Sequence, residues 1–382
     1  MHPDAFAVAR AFAPARLTMA RELAGLRKRD LADAIDRTAA AVSQYELGQS
    51  RPSGETLDRC ADALGVPVSF FTTGRPHLRL DTASAHFRSL RSTTALKRQQ
   101  ALAHVELLWE LIDQLDQVVE FPTVDLGLPL GTPAGDPAAT AGLLRRAWEV
   151  PAGPVAHLVR RLETRGVVLT QLPAVDAETI DAFSAAPLDR PLIVLSHKGN
   201  PMRQRFSVAH ELGHLLLHPE PAPGSRVHER EANTFAAELL MPAGEIRDRL
   251  PTPVDLTALK ETADGYGVSV AALAYRGKDL RVYSESTLRR IMATLTQLGW
   301  RTDEPVGARY PGERPELLTR AAELAAAHGL PLPVLAERLH LPLPRLRELL
   351  GMPAPRPHLR LVHGGQATPG SPSVHEPSII WR

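Results

Sequence analysis

The stretch Arg205-Phe-Ser-Val-Ala-His-Glu-Leu-Gly-His-Leu-Leu-Leu-His218 decides how this chain is read. Phe206, Val208, Ala209, Leu212, Leu215 and Leu216 recur at helical spacing, which predicts a buried helix that Pro219 stops. His210 and His214 are four residues apart, so a helix puts both imidazoles on one face, where they can reach one metal ion. Buried imidazoles without such a partner would strand polar nitrogens in an apolar setting. Glu211, next to the first histidine, can take a proton from a water that the metal acidifies. Two ligands, an open coordination position and a base are what hydrolysis of a peptide bond by zinc requires.

Catalytic zinc usually has three protein ligands, and the third is expected from His228-Glu-Arg-Glu-Ala-Asn-Thr-Phe-Ala-Ala-Glu-Leu-Leu-Met-Pro242. Ala232, Phe235, Ala236, Leu239 and Leu240 mark a second buried helix, ended by Pro242. Glu229 and Asn233 share a face of it. Glu229 is the favoured ligand, with Asn233 behind a ligating histidine. Glu231 is the runner-up, Glu238 comes after it, and His218 and His228 rank lower.

Residues from about 140 to 300 resemble the ImmA/IrrE-type metallopeptidases. The resemblance runs in order through Pro154-Val155, Arg165-Gly-Val-Val168, Asp181-Ala-Phe-Ser184, Arg190-Pro-Leu-Ile-Val-Leu195, Arg203-Gln-Arg-Phe206, Ala209-His-Glu-Leu-Gly-His214, Glu229-Arg-Glu-Ala-Asn-Thr-Phe-Ala236 and Leu239-Leu-Met-Pro242. It implies zinc on His210, His214 and Glu229, with Glu211 as base. It also implies cleavage of helix-turn-helix repressors, which relieves repression of stress or mobile-element genes. Gly277 stands where the family more usually has leucine, and glycine weakens a helix. An oxyanion donor should complete the site; Tyr266, Arg203 and His197 are unranked candidates.

At the other end, residues 16–71 read as four or five short helices. They run Arg16–Leu26, Asp30–Ile35, Ala39–Leu47 after a Thr38 cap, and Glu55–Leu64, with Gly48 and Gly65 as stops. Leu17, Leu23, Leu26, Leu31, Ile35, Val42, Leu57, Ala61 and Leu64 are spaced to form one small core. Leu31-Ala32, Val42-Ser-Gln-Tyr-Glu-Leu-Gly48, Pro52, Leu64-Gly-Val66 and Phe70-Phe71 make this segment similar to XRE-type helix-turn-helix domains. The resemblance implies binding of double-stranded DNA, with the third helix in the major groove. Ala40, Ser43 and Gln44 would face base edges, Gln44 suiting adenine. Lys28, Arg29, Thr38, Arg37 and Arg51 would hold phosphates. Lys28 stands where the family often has glutamine.

Between these regions Leu102, Val105, Leu108/Trp109, Ile112, Leu115 and Val119 predict an amphipathic helix over 94–120. Packing against the peptidase region is the simpler use of its stripe. A homodimer through that stripe would suit a two-half-site operator. His86-Phe-Arg-Ser-Leu-Arg91 precedes the helix and its role is not readable. Pro122 to Pro137 reads as a connector, followed by a helix over Ala141–Trp148 with Thr140 as cap. Gly166–Leu172 and Pro191–Ser196 are the clearest strands. Helices are expected over Leu256–Tyr266, Ser269–Leu280, Ser286–Leu298, Glu316–His328 and Leu332–Leu350. Residues 353–382, rich in proline, glycine and serine, should be largely disordered.

The expected organisation is therefore multi-domain. An all-α helix-turn-helix domain (1–75) and a helical linker region (76–139) precede an α+β zincin-like metallopeptidase domain (140–300). A helical C-terminal region (301–352) and the tail (353–382) complete it. A net charge of +1 over 382 residues means that DNA affinity must come from a local surface. One cysteine, Cys60, excludes intrachain disulfides and thiolate clusters and fits a reducing, cytoplasmic setting. The first residues lack the apolar core of a leader, and no stretch has membrane-spanning length, so no membrane partner is expected. Two functions suit these features: a DNA-directed zinc endopeptidase acting on a helix-turn-helix repressor, or a transcriptional regulator whose peptidase-like domain senses a signal or holds Zn2+ without turnover. Neutralising a toxin encoded alongside is a third.

Overall fold

The computed structural model describes residues 5–72, 79–80, 85–87, 94–131, 135–171, 182–186, 190–196, 200–219, 225–307 and 310–353. His197 and the expected disordered tail from 354 onward lie outside them.

The N-terminal region is helical throughout: α1 (Ala5–Arg10), α2 (Pro14–Leu23), α3 (Lys28–Ala34), α4 (Ala39–Glu46), α5 (Gly54–Leu64) and a final tight turn over Val68–Phe71. Thr38 caps α4 as expected, accepting from the Ala41 amide, and Ser53 caps α5 by accepting from that of Thr56. Leu17, Leu31, Ile35, Val42 and Leu57 are fully buried, as their spacing predicts, and Leu26 is partly buried. Cys60 is buried among them, and burial pushes its thiol up to about 12.

After the short strand β1 (Ala85–Phe87), whose backbone alone is described, comes α6 (Ala95–Asp116), capped by Thr94. The apolar stripe of α6 is buried within the chain, and so are Gln100, His104, Glu106 and Glu110. Buried polar groups need partners. Glu110 pairs closely with Arg16, Gln100 donates to the Leu23 carbonyl at 3.2 Å, and Arg345 lies 3.2 Å from His104. The helix is therefore enclosed on several sides rather than amphipathic.

The central region begins with α7 (Pro137–Ala147), capped by Asp136 instead of Thr140, then α8 (Leu158–Glu163). Strands β2 (Val168–Gln171), β3 (Ala182–Ala185) and β4 (Leu192–Leu195) join β1 in a four-stranded sheet of order β1-β3-β4-β2. β2 and β4, the two strands legible in the sequence, pair in parallel; β3 runs antiparallel to β4 and to β1. Leu-Ile-Val-Leu of β4 is buried on both faces, the pattern of an interior strand. Then follow α9 (Pro201–Leu217), α10 (Arg226–Leu240), α11 (Ala243–Ile246), α12 (Leu256–Tyr266), α13 (Val270–Asp279) and α14 (Glu285–Gln297). Gly277 of α13 has a packing reason: a Cβ there would sit 2.4 Å from the Tyr283 ring. The C-terminal part is α15 (Leu317–Ala327), α16 (Leu332–Arg338) and α17 (Leu343–Leu349). Pro342 splits the single helix expected over Leu332–Leu350 into these last two.

Two apolar cores share the sheet. Val168, Phe183, Ala185, Leu192 and Val194 face a core made with the N-terminal helices, α6 and α15–α17. Leu169, Ala182, Ile193 and Leu195 face the other, built with α7 to α14. Alternation along each strand sends neighbours to opposite faces. The expected class is borne out: a helical N-terminal region, a helix-rich domain with a small sheet, and a helical C-terminal region. Among the described residues no helix is long and apolar enough to cross a membrane.

Candidate metal centre and nucleic-acid interface

Asn200 caps α9 through the Met202 amide, and Pro201 opens it at a position where no amide hydrogen is needed. The helix lies against the sheet and against α10, so Val208, Ala209 and Leu212 are buried and carry His210, Glu211 and His214 inward with them. His210 and Glu211 are fully buried. Gly213 lets α10 come close: a Cβ there would meet Ala232 Cα at 3.2 Å and Phe235 Cδ1 at 3.0 Å. That approach delivers Glu229, in the first turn of α10, to both histidines.

The Nε2 atoms of His210 and His214 are 3.1 Å apart, and each is 3.4 Å from a carboxylate oxygen of Glu229. The first histidine faces Oε2 and the second Oε1, and donors on a tetrahedral ion with ligands at about 2.1 Å lie roughly 3.4 Å apart, so these spacings suit a zinc-sized ion. Burial alone would raise Glu229, but the hydrogen bonds and charge of His210 and His214 outweigh it and hold the carboxyl at about 2. Its side chain keeps 29% of its surface exposed, so the cluster opens to solvent on the α10 side.

Asn233, one turn beyond Glu229, places Oδ1 3.1 Å from His210 Nδ1. With the amide oxygen accepting, the proton sits on Nδ1 and the Nε2 lone pair is left for the metal. Ser184 of β3 donates to Glu211 Oε2 at 2.8 Å, anchoring the carboxylate beside the cluster. In the sequence Ser184 stands inside the stretch Asp181-Ala-Phe-Ser184, where nothing marks a role for its hydroxyl.

Neither runner-up joins the cluster. Glu231 bonds His218 Nε2 at 2.9 Å, while His218 Nδ1 is 3.0 Å from His214 Nδ1. Burial pushes His218 down to about 4, against the pull of Glu231. His228 stacks on His218 with centroids 4.0 Å apart. Glu238 pairs closely with Arg276 and accepts from the Ala243 amide at 3.1 Å, closing the C-terminal end of α10. Of the oxyanion candidates, Tyr266 reaches Glu245 at 3.4 Å and Arg203 donates to the Arg301 carbonyl at 2.5 Å, both committed to partners outside the cluster.

At the other end, α4 exposes Ala40 and Gln44, with Ser43 half-buried. Arg21 of α2 grips Glu46 at 2.5 Å and fixes the foot of α4. Lys28 is drawn to the same place, 3.1 Å from Ser43 Oγ and 3.4 Å from Glu46, so one of the expected phosphate contacts already has partners within the fold. Arg29 is exposed, 3.8 Å from Asp33; Thr38 caps α4; Arg37 bonds the Asp36 carbonyl at 2.8 Å; Arg51 bonds that of Arg10 at 3.3 Å.

Residues 162–278, which hold the whole histidine–glutamate cluster, match the peptidase M78 family, described as the IrrE N-terminal-like domain. Residues 17–71 match a helix-turn-helix family. The chain joins a helix-turn-helix DNA-binding domain to an IrrE-like peptidase domain. The radiation response metalloprotease IrrE of Deinococcus deserti is 29% identical over 230 residues, covering 53% of this chain and 75% of that protein. Glu211, His210, His214, Glu229 and Asn233 all fall inside the IrrE-like domain, as do Ser184, His218 and Glu231.

Proposed function

We propose that this chain is a DNA-binding zinc endopeptidase of the HExxH type that cleaves a helix-turn-helix repressor and so derepresses stress or mobile-element genes. The observation that carries the reading is Glu211: a fully buried carboxylate held by Ser184, next in the chain to a cluster of His210, His214 and Glu229 that could hold a metal ion. A metal kept only for structure has no use for such a group. The family matches and the metalloprotease relative support the same chemistry.

His210, His214 and Glu229 would hold the ion, and Asn233 would fix the tautomer of His210. Zinc bound there would acidify a water and polarise the scissile carbonyl. Glu211, oriented by Ser184 on Oε2, would take a proton from that water and hand it to the leaving amine. Burial keeps bulk water from competing for that carboxylate. Gln44, Ala40 and Ser43 would read the operator, with Arg29, Arg37, Thr38 and Arg51 on phosphates. An operator of two half-sites would take two copies of the chain.

The test compares new protein N-termini in cells carrying the native chain with those in cells carrying Glu211→Gln, after DNA damage and oxidative stress. A small set of termini inside a repressor, absent from the variant, is expected. A regulator without turnover would instead give identical termini and regulation that survives Glu211→Gln but fails with Gln44→Ala. That outcome would overturn the peptidase reading.

A further inference from the structure

His218 and Glu231 sit behind the metal cluster without entering it. Their contacts run in one line: His214 Nδ1 to His218 Nδ1 at 3.0 Å, then His218 Nε2 to Glu231 Oε2 at 2.9 Å. His214 and His218 are 2% and 4% exposed, so the line is shielded from water until Glu231. His214 Nε2 is the donor aimed at the metal, which obliges its other nitrogen to carry the proton. His218 Nδ1 is then the acceptor, so its own proton lies on Nε2, facing a carboxylate that can only accept. One set of tautomers satisfies every contact.

A competing use of the same residues is a second metal ion, since His218, His228 and Glu231 bring ligand atoms within 4.8 Å of one another. The ring geometry opposes it. The rings of His218 and His228 stack at 4.0 Å with their planes 7° apart. A ligating lone pair lies in the plane of its ring, and in-plane vectors from two stacked parallel rings do not converge on one ion. His228 therefore covers a face of His218, and Glu231 spends its oxygen on the Nε2 proton.

From this geometry we infer that His218 and Glu231 are positioning residues forming a carboxylate–histidine–histidine relay that orients His214 and strengthens it as a zinc ligand. The inference rests on the metallopeptidase reading and adds how the two ligating histidines differ. His210 is held by a neutral amide, whereas His214 is held through a chain ending in a negative charge. Partners behind metal ligands typically account for a factor of about 10 to 100 in metal affinity. The cost falls on His214 alone, because Asn233 belongs to the other histidine.

The experiment measures zinc affinity by chelator competition, bound zinc per chain, and melting of the zinc-free protein. It uses full-length wild type, Glu231→Gln, Glu231→Ala and His218→Phe. Glu231 lies at the edge of the line with 40% of its side chain exposed, so its variants should fold even if His218→Phe does not. One zinc per chain is expected, with affinity falling about tenfold in Glu231→Ala, less in Glu231→Gln, and zinc-free melting unchanged in both. Cobalt-substituted protein should show shifted ligand-field bands in the same order, a signature that a purely structural role would not produce. Equal affinities and bands across wild type and both Glu231 variants overturn the relay while leaving the peptidase reading intact. Two zinc ions per wild-type chain, falling to one in Glu231→Ala, overturn it in favour of a second metal site. A wild type that binds no zinc overturns the metallopeptidase reading on which it stands.

Discussion

Replacing Gly213 by alanine places a methyl group where α9 and α10 nearly touch. The new carbon would lie 3.2 Å from Ala232 Cα and 3.0 Å from the Phe235 ring. Carbon atoms at rest need about 3.5 Å or more, so the helices must part by roughly 0.5 Å unless Phe235 turns away. Phe235 is fully buried and Ala232 Cα belongs to the helix backbone, so neither has room to yield. Glu229 rides on α10 three residues before Ala232, and metal ligands tolerate displacements of only about 0.2 Å. Zinc affinity should therefore fall by a factor of about 10 to 100, the usual effect of disturbing a ligand's support. Overpacking costs about 1–3 kcal/mol, while alanine in a helix gains about 1 kcal/mol over glycine, so a modest net loss of stability is expected. Gly244 of α11 is the control: a Cβ there meets nothing within 4 Å, and Gly244→Ala should leave zinc binding untouched. Chelator competition reads the affinity, and differential scanning fluorimetry of the zinc-free proteins reads the stability. If Gly213→Ala binds zinc as wild type does and melts higher, the close approach of the helices is not what delivers Glu229.

Two further predictions address the base and the N-terminal interface. Ser184→Ala removes the hydrogen bond to Glu211 and should lower kcat by about tenfold to a hundredfold, as loss of a bond to a charged group does. KM and zinc content should not move, and an unchanged kcat would show that Ser184 is mere packing. Glu106 is buried in α6, and desolvation pushes it up to about 7, against the Leu80 amide at 2.8 Å and Arg79 at 3.5 Å. Because the folded value lies above the unfolded one, this group's contribution is fully present below pH 4.5 and is lost as pH rises through 7. The loss amounts to about 3 kcal/mol at most. Melting of wild type should drop between pH 5 and pH 8 relative to Glu106→Gln, and parallel pH profiles for the two would refute the assignment.

How much of this was legible in the sequence follows from how local each feature is. The helical spacing around His210 and His214 and the shared face of Glu229 and Asn233 are periodic signals, and α9 and α10 appear where the pattern puts them. Ser184 is different. It reaches Glu211 only because β3 pairs with β4 and lies against α9, and four residues reading Ala-Phe-Ser-Ala announce no strand. His218 did leave a trace, as the third histidine in an i, i+4, i+8 series from His210. Glu231, 13 residues further on, looks like any solvated helix carboxylate until α10 folds back. The amphipathic reading of α6 fell short for the same reason: Glu106 and Glu110 are buried because their partners, Arg79 and Arg16, come from elsewhere in the chain.

The placement of α6 bears on how DNA binding and peptide-bond chemistry can be related. Phe183 and Ala185 of β3 belong to the core shared with α2 and α6, while Ser184 between them holds Glu211 on the opposite face. The strand that anchors the proposed base and the N-terminal helices thus belong to one continuous apolar core. Interiors packed at this density transmit displacement instead of absorbing it. Sliding α6 along α2 would break the buried Arg16–Glu110 pair, and stripping one partner from such a pair costs about 3–5 kcal/mol. Gln100 on the Leu23 carbonyl fixes the same register about two turns further along α2 and about three turns away along α6. The helix-turn-helix is accordingly carried as a fixed extension of the sheet, so binding an operator would orient the open side of the metal cluster with respect to whatever protein occupies the neighbouring DNA.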